Sequence, residues 1–195
     1  MLIRQPFWFL RHGQTDWNRA GRCQGRCDVP LSPAGEAEAL AAVPPLRHLG
    51  ITAICSSPLK RARRTADIIG DALGLPVTDV PGLEEFDVGP YEGVADYSWL
   101  PAWREDQAVP GVEPFAALRE RVAEAANRAL GGASHVLIVA HGGVFWALQH
   151  LCGSPFVPLV HCQPAYLSPV GESAWCIEML NATAVAEACS GIRNS

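Results

Sequence analysis

The most informative stretch of the chain is Phe7-Trp8-Phe9-Leu10-Arg11-His12-Gly13. Its apolar residues predict a buried strand over residues 6–10, and an arginine and a histidine follow together where that strand ends. Gly13 then lets the backbone turn sharply. Open α/β sheets bind their ligands in the crevice outside the carboxyl ends of the strands, so we expect Arg11 and His12 to lie in such a crevice.

The same arrangement returns far downstream. Residues 136–140, Val-Leu-Ile-Val-Ala, predict a second buried strand, and His141-Gly142-Gly143 follows it directly. Two strands that each deliver a histidine–glycine pair at the carboxyl end predict one shared site. The two glycines also allow a close approach of the backbone at the start of the following helix.

Strands and helices alternate along the chain. The predicted strands cover residues 6–10, 51–55, 76–80, 135–140, 166–170 and 175–180, of which the last two are antiparallel around a turn at 171–173. Residues 11–32 form a polar loop, and residues 81–113 are irregular. The alternation, with its returning hairpin, predicts an α/β fold: a three-layer sandwich with a mostly parallel sheet and helices on both faces.

The helices have recognisable boundaries. One begins near Pro33 and is broken or kinked at Pro44-Pro45. The next follows Ser56-Ser57-Pro58, with serine as N-cap and proline in the first turn, and ends at Gly74. The other two helices cover residues 114–130 and the segment after His141 through Leu151. The positions expected to face inward on the first two helices are Ala37, Leu40, Ala41, Ala62, Ala66, Ile69 and Leu73.

Length and composition predict one globular domain over residues 1–195, with 49% hydrophobic and 18% charged residues. The net charge of −5 argues against a nucleic-acid partner. No apolar run approaches the roughly 18 residues of a membrane span. The seven cysteines are odd in number and scattered, and no secretory leader precedes the first motif, so we expect free thiols in the cytoplasm. Cys23 and Cys27 have no second ligand pair that would favour a zinc site.

The predicted crevice suits a phosphoryl group. Arg61 falls in the first turn of its helix, near the same edge of the sheet, and an anion there would also meet the free N–H groups of the helix. The planar guanidinium groups of Arg11 and Arg61 match phosphoryl oxygens bidentately. Of the imidazoles of His12 and His141, one can attack as a nucleophile if neutral, and the other can donate to a phosphoryl oxygen if charged.

A leaving alkoxide also needs a proton donor. The acidic residues of the irregular segment are Glu84, Glu85, Asp87 and Glu92. Alternation along an extended chain puts Glu85 and Asp87 on one side, so either could be the donor, and a solvated acidic loop is the competing interpretation. We expect the remaining histidines, tryptophans and outward arginines to serve packing or solvation: His48, His135, His150, His161, Trp17, Trp99, Trp103, Arg63 and Arg64.

These motifs resemble the histidine phosphatase superfamily, in its phosphoglycerate-mutase-like branch. The resemblance runs in order over almost the whole chain, and five motifs carry it. They are Leu10-Arg11-His12-Gly13 with Asn18, the loop from Gly21 to Gly35, Ser56-Ser57-Pro58-Leu59-Lys60-Arg61-Ala62 with Thr65-Ala66, the acidic segment from Leu83 to Gly93, and Val139-Ala140-His141-Gly142-Gly143.

The resemblance implies a role for each matching residue. His12 would be the nucleophile that becomes phosphorylated, and Arg11, Arg61 and His141 would bind the phosphoryl group with assistance from Asn18. Glu85 would be the proton donor. No metal and no cofactor are expected, and the partners would be a small phosphomonoester substrate and the inorganic phosphate product.

The chain departs from the family pattern around the pocket. Glu84 stands where the family often has an arginine, Gly111-Val112-Glu113-Pro114 replaces a Gly-Gly-Glu-Ser run, and His161-Cys162-Gln163 lacks a common asparagine. Residues 94–112 offer only Arg104 as a cation, whereas mutases of the family carry a longer basic insertion. An open, weakly basic rim favours water as the phosphoryl acceptor and therefore a phosphatase. The alternatives are a phosphoglycerate mutase and an inactive phosphate-binding regulatory module.

Overall fold

The computed structural model describes residues 1–180, which contain one six-stranded sheet. Its strands are β1 (Phe7–Arg11), β2 (Ala53–Ser56), β3 (Val77–Asp79), β4 (Val136–Ala140), β5 (Pro164–Val170) and β6 (Ala174–Met179). Their order across the sheet is β3-β2-β4-β1-β5-β6. The first four strands are parallel, and β5 and β6 return as an antiparallel hairpin. The predicted fold class is confirmed.

The register brings three strand ends together. β4 lies between β2 and β1, with Val139 opposite both Ser56 and Leu10. Because all three strands run in the same direction, the residues after Ser56, Arg11 and Ala140 emerge side by side at one edge.

Helices cover both faces of this sheet. They are α1 (Asp16–Arg19), α2 (Pro33–Leu46), α3 (Lys60–Leu73), α4 (Leu100–Arg104), α5 (Phe115–Leu130) and α6 (Gly142–Leu151). Alternate residues of β1 supply the two cores. Phe7 and Phe9 pack in the same core as α5 and α6, whereas Trp8 and Leu10 pack in the core of α2 and α3. In the described part of the chain, no helix is both long and apolar enough to cross a bilayer.

The predicted inward face of α2 is wrong. Ala37, Leu40 and Ala41 are exposed, and the buried residues are Gly35, Ala39, Ala42, Val43 and Leu46. The spacing 39/42/43/46 is also helical and includes the bulky Val43 and Leu46, so burying that stripe against α3 removes more apolar surface from water.

Pro44 and Pro45 also do not break α2, which continues to Leu46. A proline deprives the carbonyl four residues earlier of its N–H partner. Here those carbonyls belong to the exposed residues 40 and 41, where solvent can replace the lost hydrogen bonds. The helix therefore tolerates both prolines close to its end.

The start of α3 differs from the prediction as well. The helix begins at Lys60 with Leu59 as its N-cap residue, so Ser57 is not the cap and Pro58 precedes the helix. Ala62, Ala66 and Ile69 are buried as predicted, but Leu73 is only half-buried. Gly74 ends the helix in the left-handed conformation at φ 71°, as expected for this position.

The remaining strand and helix boundaries differ little from the predicted ones, but the predicted loop over residues 11–32 contains the short helix α1. The irregular stretch contains a short 3₁₀ turn (Gly89–Tyr91) and α4. Cys189 lies outside the described residues, and the other six cysteines are free thiols, as expected.

Candidate active site

His12 lies at the carboxyl end of β1 and is almost completely buried. Its Nδ1 lies 2.7 Å from the carbonyl oxygen of Gly13. A carbonyl oxygen can only accept, so Nδ1 carries the proton and Nε2 keeps its lone pair. Burial, followed by the charges of Arg61 and Arg11, lowers the pKa of His12 well below its ordinary value. The imidazole is therefore neutral, the state that a nucleophile requires.

Arg11 and Arg61 lie next to this histidine. Arg61 is fully buried in the first turn of α3, and its guanidinium donates to the carbonyl oxygens of Gly25 and Cys27, both at 2.8 Å. Arg11 donates to the carbonyl oxygen of Leu159 at 3.1 Å. The Nε atoms of both arginines are buried and have no hydrogen-bond partner within the described residues. Buried donors without acceptors are costly, so an anion that accepted from them would stabilise the site.

His141 follows β4 and is fully buried. Its ring lies 5.1 Å from that of His12 between centroids, and its Nε2 lies 2.8 Å from Oγ of Ser57. Its Nδ1 is buried without a partner. Burial and the charge of Arg61 lower the pKa of His141 well below its ordinary value, so the ring is neutral in the unliganded protein. A neutral ring can still donate from one nitrogen, and the hydroxyl of Ser57 suits the other nitrogen as a donor.

Glu85 is the half-buried carboxyl group of the site. It accepts hydrogen bonds from the backbone N–H groups of Gly143, at 3.1 Å, and Phe86, at 3.2 Å. Burial nevertheless raises the pKa of Glu85, against the opposing effects of these bonds and of the arginines. Asp87, the alternative left open by the sequence, is exposed and accepts from the N–H of Gly89. The structure thus separates the two carboxyl groups, and only Glu85 faces His12's cavity.

This cavity has a volume of about 330 Å³. Five of the residues predicted for the site line it: Arg11, His12, Asn18, Arg61 and Glu85. The sixth, His141, is not among the lining residues, and its ring lies 5.1 Å from that of His12. Asn18 also fixes the loop after β1, because its side chain accepts from the backbone N–H of Thr15 at 3.0 Å.

Three supporting residues were not identified from the sequence. Ser57, taken for a helix cap, instead contacts His141. Arg121 donates to the carbonyl oxygens of Glu84 and Glu85 and so anchors the acidic segment. The ring of His161, expected to be an ordinary packing residue, lies 5.9 Å from that of His12.

The sequence indicated these three residues to different degrees. The serine at the end of a strand was a usable signal for Ser57, whereas neither of the other two is marked by any motif. Burial and Arg11 lower the pKa of His161 to about 4, so it is neutral. Trp99 lines the cavity, and Trp103 belongs to the core, as expected for core packing.

The donor set of the site favours an anion over a cation. Within residues 1–180, no three His, Cys, Asp or Glu side chains lie close enough together to hold a metal ion. Guanidinium groups bind oxyanions bidentately, and two of them line this cavity. The expectation that the reaction needs no metal remains a prediction.

Replacing Gly143 by alanine is expected to reduce activity strongly. A Cβ atom there would collide with the carboxyl group of Glu85 and with the ring of Phe86. The acid must then move, and overpacking of this kind costs about 1–3 kcal/mol of stability. We expect kcat on alkyl phosphates to fall about 100-fold, as for the loss of a general acid.

Gly142→Ala is the matched control for this substitution. Its Cβ would lie 3.8 Å from Nε of Arg11 and 3.9 Å from Glu85, which are ordinary contacts. We expect at least a tenfold smaller effect on kcat than for Gly143→Ala. Similar kcat values for the two variants would show that the tight contact at position 143 does not position Glu85.

Comparison with known proteins identifies the family of the chain. Residues 7–168 match the family model of the histidine phosphatase superfamily, branch 1. An uncharacterized phosphatase, PhoE, of Bacillus subtilis is 34% identical over 88% of this chain and 92% of its own length. A probable phosphoglycerate mutase, GpmB, of Salmonella paratyphi B is 38% identical over 69% of this chain and 68% of its own.

Solved structures show the same likeness. A mycobacterial glucosyl-3-phosphoglycerate phosphatase in complex with VO3 superposes with a TM-score of 0.77 at 32% identity, over 91% of this chain and 99% of the other. The two strand-end histidines, the two arginines and the carboxyl group of Glu85 therefore occur within a fold and a sequence pattern that known proteins share. The chain belongs to branch 1 of the histidine phosphatase superfamily.

Proposed function

We propose that this protein is a phosphomonoesterase that hydrolyses small phosphorylated metabolites, without a metal, through a phosphohistidine intermediate. The observation that carries the proposal is the state of His12. It is a neutral imidazole with its lone pair on Nε2, beside two arginines whose Nε atoms have no partner. A nucleophile next to unsatisfied donors is the arrangement that phosphoryl transfer needs.

The first step is transfer of the phosphoryl group to His12. Nε2 attacks phosphorus while the bond to the ester oxygen breaks. Arg11 and Arg61, assisted by Asn18, bind the phosphoryl oxygens, and Nδ1 of His141 donates to the same group. Glu85 gives its proton to the departing oxygen, because its raised pKa keeps the acid available. The leaving group departs as a neutral alcohol.

The second step returns the enzyme to its starting state. A water molecule attacks phosphorus, the bond to Nε2 breaks, and the carboxylate of Glu85 accepts a proton from the water. The product is inorganic phosphate. The mycobacterial phosphatase has been solved with VO3 and with inorganic phosphate, so a related fold accommodates both anions.

A phosphoglycerate mutase is the second candidate, and the identity with GpmB is the observation that favours it. A mutase must retain the phosphorylated product until it is rephosphorylated. The outer wall of the cavity favours hydrolysis instead, because it is largely aromatic and apolar. Among residues 1–180, the cations that line the cavity besides Arg11 and Arg61 are only Arg22 and Arg104. The inactive module has less support, since every position that the mechanism uses is filled.

The free thiols favour the cytoplasm as the place of action.

Hydrolysis of p-nitrophenyl phosphate by the purified protein tests this proposal. We expect phosphate release that is unchanged by EDTA and competitively inhibited by vanadate and by inorganic phosphate, because the arginines bind oxyanions of this shape. Activity that disappears on chelation and returns with Mg²⁺ or Zn²⁺ would contradict the metal-free mechanism. Phosphoglycerate interconversion without phosphate release would favour the mutase.

A further inference from the structure

Arg104 is the last residue of α4 and lies on the wall of the cavity that contains His12. Its guanidinium lies 3.8 Å from the ring centroid of Trp146 and 5.1 Å from that of Phe156. Both rings also line the cavity. The aromatic faces hold the guanidinium in place and leave its edges available for hydrogen bonds.

This arginine lacks the protein acceptors that its neighbours have. Arg11 and Arg61 donate to backbone carbonyl oxygens, and Arg121 pairs with Glu113. Within residues 1–180, the guanidinium of Arg104 makes no hydrogen bond and no ion pair, and its Nε is buried without a partner. Burial also lowers the pKa of Arg104, which means that the charged form is penalised and that a nearby anion would offset the penalty.

The wall around this charge is apolar. Trp99, Leu100 and Val157 line the same cavity, and Phe156 remains 42% exposed at its edge. A small polar alcohol would leave these surfaces in contact with water, whereas an apolar or aromatic body would cover them. Two features therefore describe the part of the ligand beyond the phosphoryl group: an apolar body and an anion.

We propose that the substrate is a phosphomonoester whose alcohol portion is apolar and ends in a second anionic group, such as a carboxylate, which Arg104 binds. The inference rests on the proposed function and deepens it, because it defines the substrate class of the same site. The planar fork of an arginine matches a carboxylate with two parallel hydrogen bonds. Arg104 is thus a specificity residue and takes no part in the bond-breaking steps.

Matched substrates test this proposal. Each pair consists of phenyl phosphates that carry, para to the ester, either a carboxylate or the corresponding carboxamide, attached directly or through one or two methylene groups. The members of a pair have similar size and shape and differ in one charge. We expect the wild type to prefer the best-fitting acid over its amide by about 10- to 100-fold in kcat/KM, the range for a hydrogen-bonded charged pair.

Arg104→Met keeps an apolar stem against the aromatic rings and removes the charge. We expect the acid-to-amide ratio to fall to about 1, with kcat/KM for the amide changed less than about threefold. Arg22→Met is the matched control, because Arg22 lines the same cavity but is exposed and packs on no aromatic ring of residues 1–180. Its removal is expected to preserve the acid-to-amide ratio.

Three results would overturn the proposal: no preference for the acid at any spacer length, a preference that survives Arg104→Met, or a preference that Arg22→Met abolishes. If no aryl phosphate is hydrolysed, the proposed function fails separately. Calorimetric binding of the non-hydrolysable phosphonate acid and amide to the same variants then tests Arg104 alone. An equal affinity for acid and amide in the wild type would reject its role.

Discussion

Replacing His12 by alanine is expected to reduce turnover by at least about 10⁴-fold, the order of magnitude lost when a nucleophile is removed from a covalent enzyme. No other group in the described cavity combines a neutral nitrogen nucleophile with two neighbouring arginines. Thermal unfolding should still be cooperative, because the side chain lies at a strand end beside a cavity. Steady-state kinetics on p-nitrophenyl phosphate and on an alkyl phosphate measures the effect.

Rapid quenching with labelled substrate identifies the residue that carries the phosphoryl group. We expect acid-labile, alkali-stable label on His12 of the wild type and none on the variant. His48→Ala is the matched control, since His48 is exposed and lies outside this cavity. The His48→Ala variant should still be labelled on His12 and should have the turnover rate of the wild type. Label on a cysteine or a serine would overturn the assignment of the nucleophile.

Glu85→Gln is expected to reduce kcat on alkyl phosphates by about 10²- to 10⁴-fold, the contribution of a general acid. Glutamine preserves the shape and can still accept from the N–H group of Gly143 or of Phe86, which bond to different oxygens of Glu85, but it cannot release a proton. p-Nitrophenolate departs without protonation, so kcat on p-nitrophenyl phosphate should fall much less. Parallel kcat measurements on both types of substrate give the comparison. An equal loss on both would mean that Glu85 only positions other groups.

The pH dependence of the wild type follows from the same carboxyl group. Burial raises the pKa of Glu85, and activity on alkyl phosphates should fall as the pH rises through that pKa and the acid ionises. Ionisation of a buried acid whose pKa is raised by folding also removes stability in that pH range. Glu85→Gln should therefore lose the alkaline limb of the activity and also the fall in unfolding temperature that the wild type shows over this pH range. Asp87→Asn, at an exposed carboxyl group, is the control and should change neither.

Much of the candidate site follows from strand ends. Apolar runs that stop at His12 and His141 predict parallel strands, and adjacent parallel strands bring their carboxyl ends to one edge, as the register of β1 and β4 shows. Arg61 was expected at this edge because a helix must begin after β2. Such inferences are local, since each needs only the residues next to the strand or helix concerned.

The parts that sequence could not predict depend on distant contacts. His161 lies near His12 because β5 returns antiparallel beside β1, and no pattern in the segment before β5 specifies that neighbour. Helix α2 has two apolar stripes of similar periodicity, one that contains Val43 and one that contains Leu40. Which of them faces inward depends on the position of α3, which the sequence of α2 does not specify. Likewise, Glu85 and Asp87 lie on the same side of an extended chain, so alternation along the sequence cannot distinguish them. Only the fold places Gly143 next to Glu85.

The sheet and the segments that connect its strands carry different residues of the candidate site, and this bears on how a new substrate specificity can arise. Ser57, His12 and His141 follow three neighbouring strands, whereas Trp99, Arg104 and Phe156 belong to segments outside the sheet. The sheet thus fixes the positions of the two histidines, whereas Glu85 and the residues that we propose to select the substrate lie in the connecting segments. Exchanging residues 94–112 between relatives, or randomising them in a library, would change the residues around Arg104 and leave His12, His141 and Glu85 in place. If the proposed function holds, such variants should differ in the phosphoesters that they hydrolyse.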